Sequence, residues 1–310
     1  MKTIALVGAG AVGAYFIWGM TEALGDQFCL VAEGDRKKRL ERDGVMINGS
    51  LYRPIVKTPE EAHGVDYLLI AVKYTALEDS LNMIARIVGE HTTVLSLLNG
   101  VDSEEVIGRK IGMEHMVFSF MKIASMNTER KITFDPKITQ GVFLGEVGES
   151  QPTKRILELT ELFDRAHINY QICEDILLAM WQKYAINICR NLPQAVLSVG
   201  RGAYDDSEHV AYISSMMRKE VHAVARAKGI PLNDASYMDN LIREKATARY
   251  STLQDLDAHR HTEIDIFSGA LTKMGAELGV PTPFNDMCFH LIKALEQKND
   301  GLFDYSDFNP

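Results

Sequence analysis

A chain of 310 residues with 46% hydrophobic and 24% charged residues has the length for two domains and the composition of an ordinary soluble globular protein. Its net charge of −9, with no like-charge run beyond Arg36-Lys37-Lys38-Arg39, excludes nucleic acid and anionic membrane surfaces as expected partners. An anionic small molecule must then meet locally placed positive charge. No run of about 18 apolar residues occurs, so no segment is expected to span a membrane. The four cysteines are scattered in apolar surroundings and read as reduced core residues of a cytoplasmic protein. The nine histidines lack metal-ligand spacing, with His259-Arg260-His261 the nearest approach to a cluster, and no metal centre is expected.

Lys2-Thr-Ile-Ala-Leu-Val7 reads as a short buried parallel strand. Gly8-Ala9-Gly10-Ala11-Val12-Gly13 follows at once, then an apolar helix from Ala14 to Leu24 and a second strand, Phe28 to Ala32, ending at Glu33. The glycines break any signal-peptide helix, and the order strand, turn, helix, strand is the context in which G-x-G-x-x-G binds a dinucleotide. The first glycine permits the turn, the second lets a pyrophosphate approach, and the third lets helix and strand pack. Glu33 stands where an acid accepts from the ribose 2′-hydroxyl of NADH and repels the 2′-phosphate of NADPH. Arg36, Lys37 and Arg39 follow it and can hold that phosphate, so the residues point to NADH first without closing the question. Two more predicted strands, Asp66–Val72 and Thr92–Leu98, end at Lys73 and at Asn99-Gly100. In open α/β sheets ligands bind beyond the carboxyl ends of the strands, which brings Gly8, Glu33, Lys73 and Asn99 to one edge. Lys131–Phe134 and Gly141–Gly145 read as antiparallel strands closing that sheet, 155–166 as an amphipathic helix, and His167–Ile172 as one more strand.

From Glu174 onward the reading is almost all helix, with breaks at Pro193, Gly200-Arg-Gly202, Gly229-Ile-Pro231 and Gly279 to Pro283. Within the apolar stretch Asp175–Asn191, Lys183, Asn187 and Asn191 recur every four residues and form one polar stripe. A buried ammonium is costly unless paired, so a lysine kept there with two amides beside it points to binding and protonating an oxygen. The helix at 206–228 offers Met216, Met217, Val221 and Val224 to a core. Ser251 to Asp265 is polar and runs into an apolar helix, and Glu263 in it is a candidate partner for Lys183, keeping the ammonium charged.

These blocks together, Gly8-Ala-Gly-Ala-Val-Gly13, Ala71-Val-Lys73, Leu98-Asn-Gly100, Trp181-Gln-Lys-Tyr-Ala-Ile-Asn187 with Asn191, and Ser251-Thr-Leu-Gln-Asp255 with Arg260-His-Thr-Glu-Ile264, resemble the ketopantoate reductase family, the 2-dehydropantoate 2-reductases. The resemblance covers essentially the whole chain. It implies an N-terminal Rossmann-type α/β domain, drawn at residues 1–172, and an all-helical C-terminal domain for substrate binding and dimerisation, drawn at 173–310, with the site in the cleft. Carried over, Lys183 is the general acid, Asn187 and Asn191 bond the substrate, and Ser251 binds its carboxylate. Lys73 and Asn99 line the nicotinamide end, and Glu263 contacts the cofactor ribose and organises Lys183. The family's usual cofactor is NADPH, with an arginine near the end of the second strand, where this chain has Glu33. Arg201 falls where the biosynthetic enzymes often carry asparagine. The expected reaction is hydride transfer from NAD(P)H to the C2 carbonyl of a branched 2-oxo acid, most simply 2-dehydropantoate. A β-hydroxyacid dehydrogenase and a non-catalytic dinucleotide sensor are the rival readings. A homodimer is expected from the apolar helices of the second half.

Overall fold

The computed structural model describes residues 1–128, 130–233 and 245–305. They form two compact units, Met1–Leu177 and Leu178–Pro310. In chain order the first contains β1 (Ile4–Val7), α1 (Gly13–Leu24), β2 (Phe28–Val31), α2 (Gly34–Asp43), β3 (Val45–Ile47), β4 (Ser50–Tyr52), β5 (Ile55–Lys57), β6 (Tyr67–Ile70), α3 (Leu77–Ile87), β7 (Thr93–Ser96), α4 (Ser103–Ile111), β8 (Met116–Lys122), β9 (Ser125–Thr128), β10 (Lys131–Phe134), β11 (Gly141–Gly145), α5 (Lys154–Arg165) and β12 (Tyr170–Ile172).

The main sheet has eight strands in the order β12-β11-β8-β7-β6-β1-β2-β5. Neighbours from β5 through β8 run parallel, β11 is antiparallel to β8, and β12 is parallel to β11. The residues of β1, β2, β6 and β7 are buried without alternation, as expected of strands covered on both faces. The chain leaves β1 toward β2 on one side and returns to β6 on the other. The switch in strand order therefore lies between β1 and β6, where open sheets of this kind take their ligands.

The strand at Lys131–Phe134 forms, but it does not close this sheet. It lies in a second sheet of four strands, ordered β4-β3-β10-β9. Its alternating exposure buries Ile132 and Phe134, and the Phe134 ring meets Tyr15 and Trp18 of α1 edge-on at 5.5 and 5.8 Å. A period of two identifies a strand with one buried face; it does not say which sheet supplies the cover.

The chain enters the second unit within α6 (Ile176–Ile186). A π-helical turn, Asn187–Asn191, joins it directly to α7 (Leu192–Leu197). After α8 (Ala203–Asp206) and α9 (Glu208–Ala227) come α10 (Ser251–Asp257), a second π turn at Asp265–Gly269 leading into α11 (Ala270–Leu278), and α12 (Pro283–Asn299). No strand occurs among the described residues of this unit. The expected break at Pro193 is absent: Pro193 is buried inside a continuous helical run. The widened turn just before it explains this. A proline has no N–H to give and its ring crowds the preceding turn, and a π turn relieves both demands. Met217, Val221 and Val224 of α9 are buried with Ile264, Phe267, Leu271 and Ile292, and Met216 is half-buried. Glu220 of α9 accepts from the backbone N–H groups of Phe284 and Asn285, each at 2.9 Å, and so caps the start of α12. No helix among the described residues is long and apolar enough to cross a membrane.

Candidate active site

The first unit presents a nucleotide edge built by its glycines. Gly8 has φ +109°, and a Cβ there would collide with the backbone of Ala71, at the end of β6. A Cβ on Gly13 would strike the Gly8 carbonyl, so α1 can pack against the turn only with glycine at that place. Gly10 differs, since a Cβ there meets nothing within 4 Å and the backbone faces open space. No side chain caps α1. The turn Gly8-Ala9-Gly10-Ala11-Val12-Gly13 thus offers an approachable backbone and a helix N-terminus, which is what a pyrophosphate needs.

Parallel β2, β1, β6 and β7 bring Glu33, Gly8, Lys73 and Asn99 to the same edge in that spatial order. Glu33 is the residue before α2, and its Oε2 lies 2.6 Å from Nη2 of Arg86 on α3. Arg86 also reaches Glu60 Oε1 at 2.8 Å. Nothing in the sequence signals Arg86, which reaches Glu33 across the fold from the far end of α3. Arg36 and Lys73 are exposed, and Asn99 is half-buried before Gly100, whose φ of +97° requires glycine.

In the second unit Trp181, Tyr184, Ala185 and Ile188 are buried, which turns Lys183 and Asn187 toward the less covered side. Lys183 is accordingly half-buried, where the sequence suggested a fully buried amine. The π turn carries both amides of the polar stripe. It brings Asn191 Nδ2 within 3.3 Å of Asn187 Oδ1, with Asn191 only 5% exposed. The neighbouring Tyr184 hydroxyl donates to the Phe267 carbonyl at 2.6 Å, tying α6 to the second π turn.

Ser251 is exposed at the first position of α10, and Glu263 is half-buried two residues before the second π turn. The flanks of Glu263 are held from α12. Glu296, 3% exposed, accepts from Thr262 N at 2.6 Å and from Thr262 Oγ1 at 2.7 Å, while Thr262 Oγ1 accepts from Ile264 N at 3.2 Å. Lys293 donates to Asp265 at 2.7 Å. The block around Glu263 stands out in the sequence, whereas this support does not, because its partners lie on a distant helix.

Cys29, Cys189 and Cys288 are buried and Cys173 is half-buried, all as free thiols. Burial pushes the thiols of Cys29 and Cys173 up to about 11 and that of Cys288 up to about 12, so they stay protonated and inert near neutrality.

Residues 4–145 match the family described as "Ketopantoate reductase PanE/ApbA", and residues 175–296 match "Ketopantoate reductase PanE/ApbA C terminal". A 2-dehydropantoate 2-reductase of Pyrococcus horikoshii is 28% identical over 308 residues, covering 96% of this chain and 99% of that protein. A ketopantoate reductase of Ralstonia eutropha superposes with a TM-score of 0.79 at 24% identity, covering 97% of this chain and all of its own. D-mandelate dehydrogenase, solved with NADH and anilino(oxo)acetate, shares the fold with a TM-score of 0.79 at 21% identity, over 97% of this chain and 99% of its own. A dinucleotide edge on a Rossmann-type sheet, a helical unit bearing the lysine-and-asparagine stripe, and these matches lead to one conclusion: the chain belongs to the ketopantoate reductase family, as an oxidoreductase of 2-dehydropantoate 2-reductase type that uses a nicotinamide dinucleotide.

Proposed function

We propose that the protein reduces the C2 carbonyl of a branched 2-oxo acid, 2-dehydropantoate to pantoate in the first instance, with Lys183 as general acid. One observation carries the reading: a lysine and two asparagines share the polar side of an otherwise packed helix, and the two amides meet in a π turn, a distortion concentrated at functional sites. The glycine turn fits a dinucleotide, since its one unobstructed position, Gly10, lies where the pyrophosphate must approach. When bound, the reduced nicotinamide supplies the hydride.

The chain's own residues do the rest. Negative charge grows on the substrate oxygen as the carbonyl is reduced, and the Lys183 ammonium meets it with a charge-assisted hydrogen bond before yielding a proton. Asn187 and Asn191 have already oriented one another, so their remaining donors and acceptor fix the substrate with little further ordering. Ser251 offers its exposed hydroxyl to the substrate carboxylate. Glu263 contacts the ribose and holds Lys183 in place. Glu33 favours NADH by accepting from the 2′-hydroxyl. Its pairing with Arg86 is half-exposed, and such surface pairs contribute only about 0–1 kcal/mol, so Glu33 can turn from Arg86 to a ribose.

The test is initial rates with 2-dehydropantoate, other branched 2-oxo acids, phenylglyoxylate and 3-hydroxy acids, each with NADH and with NADPH. We expect turnover of 2-oxo acids, higher efficiency with NADH, and a gain for NADPH in Glu33→Ala. Lys183→Ala should lower kcat by a factor of about 10² or more. Near-normal turnover in a folded Lys183→Ala protein would remove the mechanism.

A further inference from the structure

Two loops that leave neighbouring strands at the nucleotide edge are tied to each other by their side chains. After β6, Lys73 opens a short 3-10 turn, Tyr74–Ala76, in which Ala76 N donates to Lys73 O at 2.9 Å. After β7, Asn99 and Gly100 lead into α4. Across the gap between these loops the Tyr74 hydroxyl donates to Asp102 Oδ2 at 2.5 Å, and both residues are half-buried. One bond thus joins the residue after Lys73 to the third residue after Asn99.

Asp102 stands at the N-cap of α4, where aspartate is favoured because its carboxylate accepts from an N–H of the first turn. It makes no such bond here. Its carboxylate turns instead to Tyr74, so that a charge-assisted bond between loops takes the place of a local cap. The loop it belongs to is pinned from the sheet: Ser96 Oγ and Ser103 Oγ lie 2.8 Å apart, Ser96 Oγ accepts from Leu98 N at 3.4 Å, and Ser119 Oγ of β8 donates to Ser96 O. Tyr74, by contrast, reaches inward from a turn whose Lys73 and Thr75 are exposed. The bond therefore hangs an outlying turn on an anchored one.

We propose that Tyr74 and Asp102 are positioning residues whose bond holds Lys73 and Asn99 at the spacing that the nicotinamide end of the dinucleotide requires. The proposal rests on the reading of Lys73 and Asn99 as the lining of that end. A loop already held in its bound form loses less freedom when the ligand arrives, which strengthens binding without any new contact to the ligand. With the bond removed, the dinucleotide must itself order the Lys73 turn, and the cost falls on the nicotinamide end alone, because the glycine turn and Glu33 lie on other strands.

The decisive ligands are NADH and ADP-ribose, which has the same adenosine, pyrophosphate and second ribose but no nicotinamide. Tyr74→Phe removes one oxygen and keeps the ring. In calorimetric titrations the folded variant should bind NADH about fivefold or more weaker than wild type while binding ADP-ribose equally well. Asp102→Ala should show the same selective loss, and Asp102→Asn, which can still accept from the hydroxyl, should recover most of it. The double variant Tyr74→Phe, Asp102→Ala should lose no more than either single one, since both remove the same bond. Unchanged NADH binding in Tyr74→Phe overturns the proposal. So does an equal loss for both ligands, which marks general scaffolding, or a double variant whose losses add. Every readout is equilibrium binding, so failure of the protein to turn over any 2-oxo acid would remove the reaction proposed above and leave this test intact.

Discussion

The carboxyl of Glu104 is 1% exposed at the start of α4, among hydroxyls rather than cations. Ser103 Oγ donates to it at 2.9 Å, and Ser103 also bonds Ser96 Oγ at 2.8 Å, which in turn accepts from Leu98 N, the residue before Asn99, at 3.4 Å. Burial, with Asp102 adding to it, pushes this carboxyl up to about 7. A folded-state value above the unfolded one means that the associated stability is complete below the ordinary carboxyl range and is lost as pH rises through 7. The lost part is roughly 3 kcal/mol on the scale of 1.36 kcal/mol per pKa unit. Glu104→Gln cannot ionise, so its stability relative to wild type should rise between pH 5 and pH 9; denaturant unfolding at the two pH values checks this, and a constant difference would refute it. Residues of this kind were not legible in the sequence, where Glu104 looks like any acid in a first helical turn. Lys183 was legible for the opposite reason, because a lysine and two amides at four-residue spacing contradict their apolar surroundings.

At the scale of elements, α12 acts as a brace for the polar stretch before α11. Glu296 receives two hydrogen bonds from Thr262 across a separation of 34 residues, and Lys293 reaches Asp265, so both neighbours of the Glu263 segment are anchored to one helix. If Glu263 organises Lys183, loosening this brace should reduce kcat more than it raises KM. Thr262→Val should lose about tenfold in kcat, and Thr262→Ser, which keeps the hydroxyl, should retain most of it. Steady-state kinetics beside thermal melting of both variants gives the answer, and wild-type kcat in a folded Thr262→Val protein would dismiss the brace as scaffolding. The helices and central strands could be read from periodicity, as could the glycine turn. The two π turns could not, because a single widened turn leaves no periodicity of its own in the sequence and shows only in the hydrogen bonding. The true sheet of Lys131–Phe134 was also hidden, since its cover comes from Tyr15 and Trp18 of α1.

On the scale of the molecule, strand ends were legible while strand order was not. The sequence placed Gly8, Glu33, Lys73 and Asn99 each after a buried run, and only the order β2-β1-β6-β7 shows how they succeed one another along the edge. The same contrast holds for charge: a net −9 leaves any anionic ligand to locally placed cations, and only the fold shows which cationic side chains are covered, Lys183 half-buried and Arg201 13% exposed among them. The π turn of α6 and α7 has a further consequence. It holds one residue more than regular winding needs, so chain length is itself part of the design. A deletion of any single position between 188 and 190 would let the helix wind regularly through this stretch, with the helix beyond keeping its direction, and would set the two asparagines three positions apart instead of four. Asn191 would shift against its companion amide, and Pro193 would press its ring into an unwidened turn. In this stretch a lost codon is a graver lesion than most replaced side chains.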